Sequence, residues 1–180
     1  MLTVEKREPN MAIAATHYLQ SYSRLCAVSL AGLMILGITA ADAANPGLKT
    51  HWKYYNVSGS TARELKNDMK QRGPKGYWAY ARWYINWSGN CKVDLTINYI
   101  MPRWHNKSGA PRVLQDSWDK MIANLKAHEQ VHGSHGIKAT NAIVAANCKN
   151  PHQIITKWAN EDKNFDARTG HGRRQGVVLP

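Results

Sequence analysis

The chain has 180 residues, which after removal of a leader is enough for one domain with a sizeable core. Its formal net charge is +12, but the basic residues are spread from Lys49 to Arg174 without a dense block. This distribution is atypical of nucleic-acid-binding proteins, which concentrate positive charge on one face. We therefore expect no nucleic-acid partner, and the charge favours anionic surroundings such as a bacterial envelope.

The N-terminus predicts a secretory signal peptide. Arg24 precedes an uncharged apolar run, residues 25–38, which is too short for a comfortable transmembrane helix. A small-x-small cleavage site follows at residues 41–43. We predict a signal peptide over residues 1–43, which leads to a periplasmic or secreted protein whose single domain covers residues 44–180. An uncleaved membrane anchor is the alternative, and the methionine at position 11 is an alternative start.

Two cysteines remain in the mature chain, Cys91 and Cys148. In an exported protein an isolated pair more often forms a disulfide than a metal site. Closing a loop of this length would stabilise the fold by about 4 kcal/mol in the chain-entropy model. Two buried free thiols are the alternative.

The first half of the mature chain predicts strands and one short helix. Residues 52–57 are rich in β-forming side chains and end at a Ser-Gly-Ser turn. Thr61 and Glu64 form a capping box, and the helix that follows ends at a Gly-Pro pair. Apolar side chains then alternate over residues 77–87 and again over residues 91–101. This alternation predicts a long antiparallel hairpin with one buried face.

The second half predicts two helices. Apolar residues recur at helical spacing over residues 114–148, which predicts one long helix. Gly133 and Gly136 would each cost this helix about 1 kcal/mol, so we expect them to permit close approach of another segment. Pro151 starts a final helix, and residues 164–176 read as a glycine-rich polar tail. The pattern indicates an α+β fold, in which a small antiparallel sheet with a long β-hairpin packs on the long helix, with two further helices.

The long helix carries the sequence His-Glu-Gln-Val-His at residues 128–132, a His-Glu-x-x-His motif. Histidines four residues apart share one helical face, so His128 and His132 can bind one zinc ion while Glu129 reaches a water as general base. The pair is in phase with the apolar face, where buried histidines need partners. A polar face with coincidental spacing and core histidines held by ordinary hydrogen bonds are the alternatives. The motif predicts a zinc hydrolase.

A catalytic zinc usually has three protein ligands, so a third must come from elsewhere. His171 is the first choice and Asp166 the second, because a glycine-rich loop there could fold back over the site. His135 lies on the same helical face as the motif, but it would need a bent helix to reach the metal. Glu161 and Asp162 on the final helix are further possibilities.

The motif is accompanied by other recognisable segments along nearly the whole mature chain. They are Tyr-Tyr-Asn-Val-Ser-Gly-Ser-Thr at residues 54–61, the Gly-Pro pair at 73–74, the Trp-rich strand before Cys91, residues 95–104, Trp118, the motif itself, and Asp-Ala-Arg-Thr-Gly-His-Gly at 166–172. Through them the chain resembles the predicted secreted bacterial zinc-dependent proteases that are catalogued mainly as a domain of unknown function. The resemblance implies a periplasmic or secreted zinc-dependent peptidase, and it does not extend to the third ligand.

These observations lead to one expected activity and two alternatives. We expect a zinc metallopeptidase acting on a peptide or protein substrate in the cell envelope, with Glu129 taking a proton from the attacking water and returning it to the leaving amine. A non-catalytic envelope zinc-binding or adaptor protein is one alternative. A zinc amidase or endopeptidase acting on cell-wall peptides is the other. No stable membrane span is expected after signal cleavage.

Overall fold

The structure is a computed structural model that describes residues 47–180. Within them lie three strands and three α-helices: β1 (Gly47–Val57), α1 (Ala62–Arg72), β2 (Tyr80–Trp87), β3 (Val93–Trp104), α2 (Arg112–Ala145) and α3 (Pro151–Thr169). The α+β class is therefore confirmed. The predicted signal peptide, residues 1–43, lies outside the described residues. No helix within residues 47–180 is long and apolar enough to cross a membrane.

The sheet has three strands in the order β1-β3-β2, with β3 at its centre. β2 and β3 form the predicted antiparallel hairpin, with Trp83 opposite Ile97. β1 runs parallel to β3, with Trp52 opposite Tyr99, so the sheet is mixed and not wholly antiparallel as expected. Parallel neighbours need a long crossover connection, and here α1 together with β2 provides it. Alternation along a single strand does not report this long-range pairing.

The helices begin where the sequence signals place them, but the last one is longer than expected. α1 follows the predicted capping box, and α3 begins at Pro151. The expected tail over residues 164–176 is wrong in its first part, because α3 continues to Thr169 and ends at Gly170 in the left-handed conformation. Asp166 therefore lies on a helix and not in a loop.

α2 packs against the face of the hairpin that carries its buried side chains. Gly133 and Gly136 lie at this contact. A Cβ on Gly133 would be 1.8 Å from Tyr99 Oη, and one on Gly136 would be 2.7 Å from Trp83 Cγ. The prediction that these glycines permit close approach of another segment is confirmed. The middle of α2, which carries the His-Glu-x-x-His motif, is held directly against the sheet.

A disulfide joins Cys91 to Cys148, as predicted. Cys91 lies in the turn before β3, with φ 53°, and Cys148 follows the end of α2. The bond therefore ties the hairpin turn to the C-terminal end of the long helix. The two residues are 57 apart in sequence, and a loop of that size corresponds to about 4 kcal/mol in the chain-entropy model.

Candidate metal and catalytic site

Three potential ligand atoms from α2 and α3 converge on one point. His128 Nε2 lies 3.3 Å from His132 Nε2. Asp166 Oδ1 lies 3.2 Å from the Nε2 atom of His128 and 3.1 Å from that of His132. Both histidines are buried, and the side chain of Asp166 is 14% exposed. We call these three residues the ligand cluster, and their atoms could hold one metal ion.

The other ring nitrogen of each histidine makes a hydrogen bond outside the ligand cluster. His128 Nδ1 lies 2.8 Å from Gln175 Oε1, and His132 Nδ1 lies 2.8 Å from Asp162 Oδ1. Because each Nδ1 faces an oxygen acceptor, the proton of a neutral imidazole belongs on Nδ1 and the lone pair on Nε2. Metal-ligating histidines commonly have this arrangement.

The ligand cluster brings two imidazole lone pairs and one carboxylate oxygen together. All three are hydrogen-bond acceptors, so a proton or a cation must lie among them. Burial opposes a proton on His132 most strongly, but hydrogen bonds to Asp162 and Asp166 and the charge of Glu129 raise its pKa to about 9. Burial also acts to raise the pKa of Asp166, but hydrogen bonds from His128 and His132 hold it far below its usual value. The cluster therefore favours positive charge.

Asp162, which is completely buried on α3, connects the ligand cluster to its surroundings. Its Oδ1 accepts from His132 and, at 2.7 Å, from His135 Nδ1. Its Oδ2 accepts from Trp83 Nε1 at 2.9 Å. Asp162, His132 and His135 also form a second group whose ligand atoms lie close together. Since three donors already bond this carboxylate, we interpret it as the group that orients His132.

Glu129 lies beside the ligand cluster and is 5% exposed. It lines the same cavity as the three residues of the cluster but supplies none of the converging atoms. Burial is the largest effect on its pKa and raises it to about 7, against the charges of His132 and His128 and a hydrogen bond from the backbone N–H of Ala81. A carboxyl group with a pKa near neutrality is suited to proton transfer.

The structure brings the motif residues together and separates the candidates for the third ligand. Asp166 supplies the converging oxygen, although the sequence favoured His171. The Nδ1 atom of His171 lies 3.4 Å from Asp166 Oδ2, and its side chain is 59% exposed. His171 belongs to neither group of close ligand atoms within residues 47–180. His135 faces Asp162 and belongs to the second group. Glu161 pairs with Arg168 on the exposed side of α3.

A family model described as a bacterial protein of unknown function (DUF922) matches residues 52–172. The chain belongs to the DUF922 family. The matched region contains His128, Glu129, His132 and Asp166, so the ligand cluster and the neighbouring glutamate lie within the DUF922 domain. No curated protein and no solved structure matches the chain.

Sequence reasoning named Asp162 and Asp166 only as alternatives for the third ligand, and it did not identify Gln175. Asp162 and Asp166 are four residues apart on α3, the same spacing as the two histidines on α2, and this could have indicated one carboxylate-bearing face. The signal was hidden because the residues after 163 were interpreted as a tail. Gln175 has no comparable signal. It lies in a short 3-10 helix, Arg173–Gln175, which is reached through Gly172 at φ 81°.

The DUF922 ligand cluster opens into a cavity of about 460 Å³. The cavity is bounded by the start of β2, by α2, by α3 and by the last residues of the chain. Its apolar lining includes Trp78, Leu125, Val177 and Leu179. This volume lies in the range of pockets that bind small ligands. Part of a substrate could therefore reach Glu129 and the ligand cluster.

Proposed function

We propose that this protein is a zinc-dependent peptidase that is exported to the bacterial envelope. One observation carries the proposal. Two histidines of a His-Glu-x-x-His motif and Asp166 direct ligand atoms to one point at mutual distances of 3.1, 3.2 and 3.3 Å, beside the buried Glu129. Such a combination of ligands and base is what metal-assisted hydrolysis requires.

The donor set suits zinc. Tetrahedral ligand atoms at zinc bond lengths of about 2.0–2.1 Å lie about 3.3 Å apart, which is close to the spacing in the ligand cluster. Nitrogen and carboxylate oxygen are both common zinc ligands, and three protein ligands leave one position open, as in catalytic sites. We therefore propose Asp166 as the third ligand, in preference to His171. Asp162 and Gln175 hold the two imidazoles in orientation.

Zinc held by His128, His132 and Asp166 would act as a Lewis acid that polarises a carbonyl group and makes water more acidic. Glu129 receives the proton of the attacking water and returns it to the leaving amine. The same group must first take the proton and then release it, and burial, which raises the pKa of Glu129, favours the protonated half of this cycle. Glu129 lines the cavity together with Ala81 of β2.

The position of the cavity favours an extended peptide as substrate. β2 is an edge strand, and its first residues, Tyr80 and Ala81, line the cavity together with the preceding Ala79. The free edge of a strand can pair with the backbone of an extended peptide. Because Ala81 and Glu129 line the same cavity, a peptide at this edge would lie beside the base.

Export is supported by the disulfide between Cys91 and Cys148. Such bonds persist in the periplasm and outside the cell and are rare in the cytosol. The apolar segment at residues 25–38 and the small-x-small site at residues 41–43 add a sequence argument for a cleaved signal peptide. The peptide or protein substrate would then be a component of the envelope.

Hydrolysis of casein and of a peptide library tests the activity. We expect one zinc per chain in both the wild type and Glu129→Gln, and a rate that is about 10²- to 10⁴-fold lower in the variant. Glu161→Gln is the matched control, because Glu161 pairs with Arg168 on the exposed side of α3. Equal rates for wild type and Glu129→Gln would exclude Glu129 as the base.

The same assays separate the two alternatives. A wild-type protein that binds zinc but cleaves nothing would favour a non-catalytic envelope zinc-binding or adaptor protein. Cleavage of purified peptidoglycan without cleavage of casein would favour a zinc amidase or endopeptidase acting on cell-wall peptides.

A further inference from the structure

The charged side chains around the cavity are not balanced. Outside the ligand cluster and Glu129, the acidic or basic side chains that line it are Lys66, His171 and Arg173, all of which are basic. A divalent ion in the ligand cluster would offset the charges of Glu129 and Asp166. The basic side chains therefore determine the electrostatic potential that an approaching substrate meets.

Arg173 is the basic residue best able to bind a ligand group. Its side chain is exposed, and among residues 47–180 it forms no ion pair or side-chain hydrogen bond. Lys66 Nζ, by contrast, donates to the carbonyl oxygen of Pro180 at 2.9 Å. His171 contacts Asp166. The guanidinium donors of Arg173 are thus available at the wall of the cavity.

The backbone holds Arg173 in a fixed relation to the ligand cluster. The preceding glycines, Gly170 and Gly172, have left-handed φ values of 59° and 81°. Arg173 N donates to Gly170 O at 3.2 Å, and Gln175 N donates to Gly172 O at 2.8 Å. The side chain of Gln175 in turn bonds His128. A preorganised backbone of this kind reduces the cost of ordering the site when a ligand binds.

We propose that this cavity binds a peptide that presents a carboxylate to Arg173 and an apolar side chain to the wall formed by Leu125, Val177 and Leu179. The inference rests on the proposed peptidase function and names the class of its substrates. A guanidinium group binds a carboxylate through two parallel hydrogen bonds, which gives direction as well as attraction. The carboxylate comes either from an Asp or Glu side chain or from the C-terminus of the peptide.

Binding is measured with zinc-loaded Glu129→Gln, so that the peptide is not consumed. Three fluorescent peptides share one apolar sequence: one with an internal Glu and an amidated C-terminus, one with Gln and an amidated C-terminus, and one with Gln and a free C-terminus. We expect one or both carboxylate peptides to bind about two- to fivefold more tightly than the neutral peptide, the range of a partly exposed ion pair. The advantage should shrink at about 0.5 M salt.

Two arginine variants in the same background locate the effect. Arg173→Gln should remove the advantage of the carboxylate peptides. Arg174→Gln should retain it, because Arg174 donates to the carbonyl oxygen of Arg168 and does not line the cavity. The Kd for the neutral peptide should be similar in both variants, since the apolar wall is unchanged.

Equal affinities for the three peptides would overturn the proposal, and so would an equal loss of preference in Arg173→Gln and Arg174→Gln. Tighter binding of only the internal Glu peptide, or of only the free-acid peptide, supports the proposal and identifies the source of the carboxylate. Failure of the proposed peptidase function would be seen in a different measurement. The wild type would then cleave no peptide, whichever of the three peptides binds most tightly.

Discussion

Replacing Asp166 with Ala should abolish stoichiometric zinc binding, whereas replacing His171 with Ala should not. Asp166 Oδ1 lies 3.2 Å from His128 Nε2 and 3.1 Å from His132 Nε2, so the three atoms could surround one metal ion. His171 is 59% exposed, and its Nδ1 atom meets the other oxygen of Asp166 at 3.4 Å. The geometry therefore gives these two side chains different roles.

The expected magnitudes follow from those contacts. Removal of a residue that only supports a metal ligand typically weakens binding about 10- to 100-fold. His171 only contacts one oxygen of a proposed ligand and is largely exposed, so His171→Ala should weaken zinc binding by about tenfold or less. Asp166→Ala removes a direct metal bond, and its effect should exceed about 100-fold, or more than about 2.7 kcal/mol.

Competition with a fluorescent chelator gives the zinc affinities, and elemental analysis gives the stoichiometry. Asp166→Asn is a second variant of nearly the same shape, which guards against misfolding of the alanine variant. Thermal unfolding of each zinc-free variant checks that the fold is retained. Loss of zinc in His171→Ala together with full zinc in Asp166→Ala would refute the reasoning from the converging atoms and support the sequence-based preference for His171.

Four further predictions concern the ligand cluster and the residues that pack around it. Asp162→Asn should weaken zinc binding about 10- to 100-fold in chelator competition, because the buried carboxylate orients His132. The control Asp119→Asn, at an exposed position, should have no effect. Gly136→Ala should lower the free energy of unfolding, measured in urea, by about 1–2 kcal/mol. The new Cβ would overlap the indole ring of Trp83 at 2.7 Å, and this overlap outweighs the gain in helix propensity. Gly109→Ala is the control, because a Cβ there meets no atom within 4 Å. The pKa of His132 is raised to about 9, so apparent zinc affinity should rise about tenfold per pH unit from about pH 7 to pH 9, and a flat profile would contradict this. In the zinc-free protein the same proton adds stability that is complete below about pH 6.5 and lost as the pH rises through 9.

The local elements of the fold could be predicted because their patterns report which side chains are buried. Alternation over residues 77–87 and 91–101 identified the hairpin, and helical spacing over residues 114–148 identified α2. The parallel pairing of β1 with β3 joins residues far apart in sequence, and no local period encodes it. The extent of α3 was missed because its polar second half resembles a loop in composition.

The candidate site likewise contains residues that a local sequence pattern groups together and residues that only long-range packing brings there. His128, Glu129 and His132 are close together because they share one helical turn, so a local motif was sufficient to group them. Asp166 and Gln175 reach His128 from 38 and 47 residues away in sequence. Their positions depend on how α3 packs on α2 and on a turn that contains left-handed residues. The sequence spacing around the His-Glu-x-x-His motif encodes neither of these features.

The packing of α2 on α3 explains why two aspartates have different roles at one site. Consecutive helices joined by a short turn lie side by side and antiparallel, so pairs of residues with a four-residue spacing can face each other. One turn of α3, about 5.4 Å, separates Asp166, which meets both Nε2 atoms, from Asp162, which meets His132 Nδ1. A shift of α3 by one turn would move one aspartate into the place of the other and leave the second position without a carboxylate. The turn after α2 therefore sets the chemistry of the site, since its left-handed residues, Asn147, Cys148 and Asn150, fix where α3 begins.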